Sequence, residues 1–352
     1  MDADTTRPTL ARAQGHCPRA FLWGLLLATA LVISAVTTIS IGVVSIPLHE
    51  VWDVLLGNLT AAPDALSSKN SVIIWNVRTP RMLLALLVGA GLSVAGVAIQ
   101  GVLRNVLADP YLIGISSGAS TGAALVLLGF ASATSLSLTV GAYLGSLAAI
   151  LLVFGIARSG GSITSERFIF AGIIVGFAMT ALTNLLIFLS GSDHGARSVM
   201  FWMLGSLNLA NWDSLLIPFL ALLVTLTLMI LWGRKFDAIS IGDDTARTLG
   251  TNPDHFRTLS LAIIAACVAT LVAVSGAIGF LGLVVPHISR RMVGATHRGV
   301  FVISALLGSV LLMWSDALAR TMFQPKELPI GVLTALLGTP LLLFLMRRLY
   351  AK

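Results

Sequence analysis

Apolar residues occur in long runs, separated by short polar segments, along almost the whole chain. The runs are about 15–25 residues long, and about 20 apolar residues in a helix cross the hydrocarbon core of a bilayer. The pattern predicts ten membrane-spanning helices, near residues 21–44, 80–103, 112–129, 135–157, 168–190, 213–233, 258–275, 279–293, 300–321 and 329–347. The eighth run contains Pro286 and follows Gly276, which predicts a short or broken helix.

The composition agrees with this pattern and excludes most other classes of protein. The 352 residues are 57% hydrophobic and 11% charged, with a mean hydropathy of +0.95. Soluble proteins carry about 25% charged residues, so a soluble enzyme, a disordered chain and a secreted disulfide scaffold are all excluded. The net charge of +7 forms no basic stripe, which favours contact with lipid headgroups over nucleic acid. We therefore expect an all-α polytopic membrane protein.

The positions of lysine and arginine predict the orientation of the chain. Residues 1–20 are basic and precede an apolar run of about 24 residues, which is too long for the core of a cleaved signal peptide. With ten helices, 16 basic residues fall in segments predicted to be cytoplasmic and 6 in external segments, as expected for a membrane protein. We therefore expect a cytoplasmic tail over residues 1–20, an uncleaved first helix, and both termini in the cytoplasm.

The chain contains no nucleotide-binding loop. Such a loop needs a lysine that follows glycine and precedes serine or threonine. The four lysines, Lys69, Lys235, Lys326 and Lys352, follow Ser, Arg, Pro and Ala. If ATP drives this protein, a separate subunit hydrolyses it. The chain also lacks metal-ligand spacing, paired carboxylates and a nucleophile–base pair, so we expect neither an enzyme nor a cofactor.

An ion-coupled transporter would instead carry acidic or histidine groups within its helices. The candidates are Asp316 and His287. Asp316 lies four residues before Arg320, so the two side chains can pair on one helix face. This pairing favours a structural role for Asp316, but it leaves ion coupling as an alternative.

Three segments interrupt the apolar pattern, and the first is residues 78–81. Thr79 and Pro80 predict the start of a helix at the external surface. Two arginines, Arg78 and Arg81, would then oppose the helix dipole, which favours anions at this end. Such a placement indicates contact with something outside the fold, although anchoring to lipid is an alternative.

The second segment runs from Gly89 to Ser120. It carries Gln100, Asn105, Asp109 and Pro110 in an otherwise apolar region. Polar, helix-breaking residues at membrane depth are tolerated where they are buried in protein or line a cavity. These four residues are candidates for a translocation path or gate, and a simple cytoplasmic turn is the alternative.

The third segment is the cytoplasmic loop 234–257. Acidic residues after Gly242 and a glycine at the end predict a short helix, and Asn252 and Pro253 predict the start of another. Two short helices across the mouth of a bundle would form a docking surface, although a solvated loop is the alternative. The candidate residues for this contact are Gly242, Asp243, Asp244, Ala246, Arg247, Leu249 and Gly250.

These segments resemble the FecCD family, the permease subunits of ABC importers for iron–siderophore complexes, haem and cobalamin. The resemblance covers about residues 72–348. Its motifs are RTPR at 78–81, QGVLRNVLADPYLIGISSGA at 100–119, GAIGFLGLVVPHISRRMVG at 276–294, and SDALAR at 315–320 with ELPIGVLTALLGTP at 327–340. Thr79 and Val106 depart from the usual residues of the family.

The resemblance implies a type II ABC importer permease fold, with residues 21–348 as a single transmembrane domain. It also implies a second permease subunit, identical or paralogous, two cytoplasmic ATPase subunits and an external binding protein. By the same resemblance, Arg78, Arg81 and Arg320 receive carboxylates of the binding protein, and residues 241–257 contact the ATPase.

The function expected from the sequence is therefore a permease subunit of an ATP-driven importer in the bacterial cytoplasmic membrane. The cargo is a ferric siderophore or a related metal chelate, with haem and cobalamin left open. A self-sufficient ion-coupled transporter is the alternative from a different class.

Overall fold

The computed structural model describes residues 16–42, 44–60, 68–129, 134–159, 161 and 163–350. Residues 1–15 of the predicted cytoplasmic tail and the last two residues of the chain lie outside the described part. The described residues form α-helices joined by turns, with no strand among them. The predicted all-α fold is therefore confirmed.

The helices have the following bounds. They are α1 His16–Ser40, α2 Leu48–Leu59, α3 Lys69–Ile73, α4 Thr79–Leu103, α5 Ile115–Gly129, α6 Ser135–Arg158, α7 Ser165–Leu189, α8 Asp193–Met203, α9 Leu216–Leu231, α10 Gly233–Ile241, α11 Asp243–Thr248, α12 Pro253–Ser275, α13 Leu281–Val293, α14 His297–Thr321 and α15 Ile330–Tyr350. A π-helical turn, Ile74–Arg78, joins α3 to α4.

Each of the ten predicted membrane segments coincides with a helix. Among the described residues, seven helices are long and apolar enough to cross a membrane, and Ile115–Gly129 and Ile330–Phe344 are shorter apolar helices. The remaining one, α13, has only 13 residues and is preceded by irregular backbone at 276–280. The prediction of a short or broken eighth segment is confirmed. The sequence pattern missed α8 and α10, which are short and less apolar than the spanning helices.

Helix α4 is the central element of the bundle. The span that contains it is 83% buried, more than any other span among the described residues. Small residues allow this burial because they let neighbouring backbones approach closely. A side chain at Gly89 would collide with the carbonyl of Gly308 on α14, and one at Gly96 would collide with the carbonyl of Gly282 on α13. Helices α14 and α13 therefore lie directly against α4.

Helix α4 begins at Thr79 with Pro80 in its first turn, as predicted, but Thr79 does not cap a free helix end. Helical backbone starts about ten residues earlier, where the Ser68 side chain accepts a hydrogen bond from the backbone N–H of Ser71. Pro80 has no N–H, and the π-helical turn accommodates it inside the continuing helix. The carbonyl of Trp75, five residues before Pro80, instead accepts a hydrogen bond from the indole of Trp212 at 3.1 Å.

The two ends of the bundle are defined by their charged residues. We call the end with residues 78–81 and 316–327 the upper end, and the end with residues 104, 243 and 257 the lower end. The sequence predicts that the upper end is external. Helix α2 packs near the upper end of α1 through Val51 and Val54.

Cysteine labelling tests this orientation. In a Cys17→Ser background, in which the remaining Cys267 is buried, we expect Lys69→Cys at the upper end to react with a membrane-impermeant maleimide in intact cells. Ser240→Cys at the lower end should react only after permeabilisation, since both positions are exposed but on opposite sides. Labelling of Ser240→Cys in intact cells, with Lys69→Cys protected, would contradict the predicted orientation.

Candidate functional site

Arg78 is buried at the upper end and binds the last turn of α1. Its Nη1 donates to the carbonyls of Ile39 at 2.7 Å and Ser40 at 3.0 Å, and its Nη2 donates to the carbonyl of Val44. The last carbonyls of a helix have no helical N–H to accept from. Arg78 therefore provides the donors that α1 lacks at its end.

Arg81 forms two ion pairs within the chain. Its Nη2 lies 2.9 Å from Asp316 Oδ1 and 3.0 Å from Glu327 Oε2. Arg320 approaches the same carboxylate, with Nε 3.1 Å from Asp316 Oδ2, and its Nη2 donates to the carbonyl of Thr38 at 3.1 Å. The predicted pairing of Asp316 with Arg320 is confirmed, and the structure adds Arg81 to it.

We call Arg78, Arg81, Asp316, Arg320 and Glu327 the arginine cluster. Its three arginines are 7%, 8% and 7% exposed. Arg78 and Arg81 therefore have partners within the fold, whereas their placement in the sequence indicated only a contact outside it. Their predicted contact with a binding protein is not tested by this geometry.

The exposed member of the cluster is Glu327, whose side chain retains 32% of its accessible surface. It lies with Arg81 on the wall of a cleft of about 280 Å³ at the upper end. Ser198, Ser206 and Asn208 add polar groups to the same cleft, and Trp202 and Phe201 add aromatic ones. A side chain from outside could reach Arg81 through this cleft, beside Glu327.

Gln100 joins α4 to α13. Pro286 has no N–H for the carbonyl of Gly282 four residues before it, and Gln100 Nε2 donates to that carbonyl at 3.3 Å. Gln100 Oε1 accepts a hydrogen bond from Arg290 Nη1 at 2.7 Å. Gln100 is 3% exposed, so it lies within the packing of the two helices.

The other predicted path residues shape the turn after α4. Asn105 accepts a hydrogen bond from the backbone N–H of Leu107, and Asp109 accepts one from the backbone N–H of Tyr111 at 2.8 Å. Burial raises the pKa of Asp109 to about 6, while the Tyr111 N–H favours the charged form. Pro110 packs against Gly282 at the start of α13. These contacts fix the backbone, and a role in the path stays a prediction.

A groove of about 360 Å³ lies beyond this turn, between α5 and α7. Its polar lining includes the hydroxyl-bearing residues Ser116, Ser117, Ser120 and Thr180, with Gly172 and Gly176 between apolar side chains. None of the four predicted path residues lines this groove. The signal for it was present in the sequence as the serine- and glycine-rich run GISSGAS at 114–120.

The predicted short helix at the lower end is confirmed as α11. Gly250 follows it with a positive φ of 76°, a conformation that glycine adopts without strain. The Asn252 side chain caps α12 by accepting from the backbone N–H of Asp254 and of His255. Ala246 is buried, whereas Asp244, Arg247 and Leu249 are exposed and Gly242 is partly so.

Asp243 is the one acidic residue of α11 that turns toward the bundle. Its Oδ1 lies 2.6 Å from Arg257 Nη2 and 2.9 Å from Arg104 Nη2. Neither arginine was predicted as a partner of Asp243, because Arg257 and Arg104 lie 14 and 139 residues away along the chain.

Comparison with known proteins identifies the family. The model of the FecCD transport family matches residues 27–348. The chain belongs to this family. It is 39% identical over 336 residues to the hemin transport system permease protein HmuU of Yersinia pestis, covering 94% of this chain and 96% of that protein.

Further relatives agree with this assignment. The Fe(3+)-citrate import system permease protein YfmD of Bacillus subtilis is 36% identical over 80% of this chain and 83% of its own length. A solved inward-facing structure of the metal-chelate ABC transporter type superposes with a TM-score of 0.80 at 32% identity, over 92% of this chain and 98% of that one. The fold is that of a type II ABC importer permease, as predicted.

The contacts of the arginine cluster indicate how strongly the loss of its buried carboxylate, Asp316, should lower the stability of the chain. Asp316→Asn leaves Arg81 and Arg320 facing each other with one fewer negative charge, and breaking a buried pair costs roughly 3–5 kcal/mol. We expect a large fall in the thermal unfolding midpoint of the detergent-purified chain. The matched control, Glu327→Gln, removes a partly exposed partner and should cost about 1 kcal/mol or less. Equal midpoints for the two variants would contradict this account of the cluster.

Proposed function

We propose that this chain is the permease subunit of an ATP-driven importer that carries a ferric siderophore or a related metal chelate across the bacterial cytoplasmic membrane. The observation that supports this most is the 39% identity to a haem permease over 94% of the chain. The relative named for ferric citrate supports the same class of cargo. The chain lacks a nucleotide-binding lysine, so its ATPase is a separate subunit.

In this proposal residues 21–348 form the permease domain, and the tail 1–20 and both termini are cytoplasmic. The lower end then faces the ATPase subunits, and the loop 234–257 presents α11 to them. The exposed residues of α11 support this role, because Asp244, Arg247 and Leu249 point away from the bundle.

The path for the chelate is proposed to run along the groove between α5 and α7. A second permease subunit, identical or paralogous, would cover the open side of this groove. Hydroxyl groups and glycines offer weak, uncharged contacts to a bulky ligand, which suits release after passage. Gln100, Asn105, Asp109 and Pro110 would act at the lower end of the path. Gln100 would join α4 to α13, and the other three would fix the backbone of the turn between α4 and α5.

Uptake into proteoliposomes tests the function. The chain, reconstituted with its ATPase and binding protein, should accumulate a ferric siderophore or haem only when ATP is hydrolysed. Radiolabelled cobalamin and molybdate should be compared in the same vesicles. Accumulation by the chain alone, driven by a proton or sodium gradient, would favour the ion-coupled alternative and overturn the proposal. Accumulation of molybdate without any chelate would overturn the proposed cargo.

The upper end is proposed to receive the binding protein. Arg78, Arg81 and Arg320 carry three positive charges against the two carboxylates of Asp316 and Glu327. Glu327 is the accessible one of these carboxylates, so an incoming carboxylate would compete with it for Arg81. The cleft beside Arg81 supplies the approach. Docking then exchanges one carboxylate for another and avoids exposing a buried arginine without a partner.

A single substitution tests this exchange. Glu327→Gln removes the internal competitor without touching the arginines, so the binding protein should bind the reconstituted complex about 3- to 10-fold more tightly. Asp193→Asn is the matched control, because it removes an exposed carboxylate from α8 at the upper end. It should change the affinity less than about twofold, because Asp193 lies outside the cleft and salt screens the interactions of exposed charges. Equal affinities for the two variants would argue that these arginines are structural and do not receive the partner.

A further inference from the structure

We propose that Asp243 is a positioning residue that makes α11 move as one body with the lower ends of α4 and α12. The inference rests on the proposed function, in which an ATPase subunit contacts the exposed face of α11. It concerns a different feature, namely how a displacement of α11 reaches the membrane helices. We call Asp243, Arg104 and Arg257 the Asp243 clamp.

The clamp joins three helices at one carboxylate. Arg257 binds Asp243 with two parallel hydrogen bonds, Nη2 to Oδ1 at 2.6 Å and Nη1 to Oδ2 at 3.0 Å. Arg104 adds a third, from Nη2 to Oδ1 at 2.9 Å. Bidentate pairing between arginine and carboxylate fixes direction as well as distance. Asp243 begins α11, Arg104 follows the last residue of α4, and Arg257 lies in the second turn of α12.

Both arginines are themselves anchored. Arg257 Nε donates to the carbonyl of Val102 at 3.3 Å, in the last turn of α4, and its side chain is only 4% exposed. Arg104 has a left-handed conformation with a φ of 50°, and its backbone N–H bonds to the carbonyl of Gln100. The clamp is therefore bound to the end of α4 in two ways, through the backbone carbonyl of Val102 and through the side chain of Arg104.

Helix α11 depends on such contacts for its position. It has six residues, too few for a stable helix by its own hydrogen bonds. Ala246 is its one buried residue. Its other charged residues, Asp244 and Arg247, pair with each other at 3.2 Å and face outward. Asp243 is thus its one charged link to the bundle among the contacts of the described residues.

The charge of Asp243 is maintained under physiological conditions. The hydrogen bonds from Arg257, with the charges of Arg257, Arg104 and Arg247, lower the pKa of this carboxyl despite its partial burial. A carboxyl whose pKa is lower in the folded state stabilises that state above its unfolded pKa and loses this effect as the pH falls through the folded value. The carboxyl group of Asp243 therefore stays ionised at neutral pH.

The last turns of α4 connect the Asp243 clamp to α13 in the interior of the bundle. Gln100 lies one turn before Arg104 and binds both the Gly282 carbonyl and Arg290 of α13. Helix α13 begins after the irregular backbone at 276–280, where the Ile278 N–H donates to the hydroxyl of Tyr111 at 3.0 Å. Tyr111 also lines the groove between α5 and α7. A contiguous series of contacts thus runs from α11 to the groove.

The test compares Asp243→Asn with Glu166→Gln in the assembled complex with ATPase and binding protein. Glu166 is an exposed carboxylate at the start of α7, at the lower end but outside the clamp. Asp243→Asn should still bind the ATPase subunits, because the exposed face of α11 is unchanged. It should lose about tenfold in the ATP hydrolysis stimulated by loaded binding protein and in uptake, within the range of coupling between linked sites. Glu166→Gln should stay within about twofold of the unaltered chain in both assays.

A distance measurement supplies a second readout. Spin labels at Thr248→Cys and Val106→Cys, in the Cys17→Ser background, report α11 against the end of α4. The distance distribution should be narrow with Asp243 and broad with Asp243→Asn. If Asp243→Asn fails to fold, Arg104→Gln removes one link and keeps the Arg257 pair, and it should give a smaller loss of coupling.

The outcomes separate the clamp from the proposed function. Full coupling and an unchanged distance distribution in Asp243→Asn, or in Arg104→Gln where that variant is used instead, would overturn the clamp. A chain with native Asp243 that binds no ATPase subunit would overturn the proposed function. Loss of coupling with retained ATPase binding and a broadened distribution is the expected result.

Discussion

The structure depends on satisfying backbone hydrogen bonds wherever a helix ends or breaks inside the bundle. Hydrocarbon supplies no partner for a free carbonyl, so side chains of neighbouring helices supply it. Trp212 donates to the carbonyl of Trp75 before Pro80, and Gln100 donates to the carbonyl of Gly282 before Pro286. Arg78 does the same at the end of α1. The polar residues that interrupt the apolar runs are therefore the residues that hold the irregular backbone in place.

Helix α4 connects these features. Its glycines bring α13 and α14 into direct contact with it, and its two ends carry Arg81 of the arginine cluster above and Arg104 of the Asp243 clamp below. Each group joins α4 to elements that arrive much later in the chain. A helix that is packed tightly along its length and fixed by charges at both ends transmits displacement well. In the proposed function, this arrangement would let one subunit respond to a protein at either surface.

Local features were predictable from the sequence, and long-range partners were not. The apolar runs gave the spanning helices, and Asn252, Pro253 and Gly250 gave the ends of the short lower helices, because these signals act over a few residues. Thr79 and Pro80 marked the start of α4, but no sequence signal showed that a π-helical turn, Ile74–Arg78, joins α4 to an earlier helix. The partners of Arg81 lie 235 and 246 residues away, and only the packing of α4 against α14 brings them together. The inward direction of Arg78 and Arg81 was missed for the same reason.

Site-specific photo-crosslinking in the assembled complex tests the central claim, that the two ends of this chain serve two different partners. A crosslinker at Asp244, whose side chain is fully exposed on α11, should form an adduct with the ATPase subunit. A crosslinker at Lys326, exposed near the arginine cluster, should form one with the binding protein. The reverse pattern, or an Asp244 position that captures neither partner, would contradict the account.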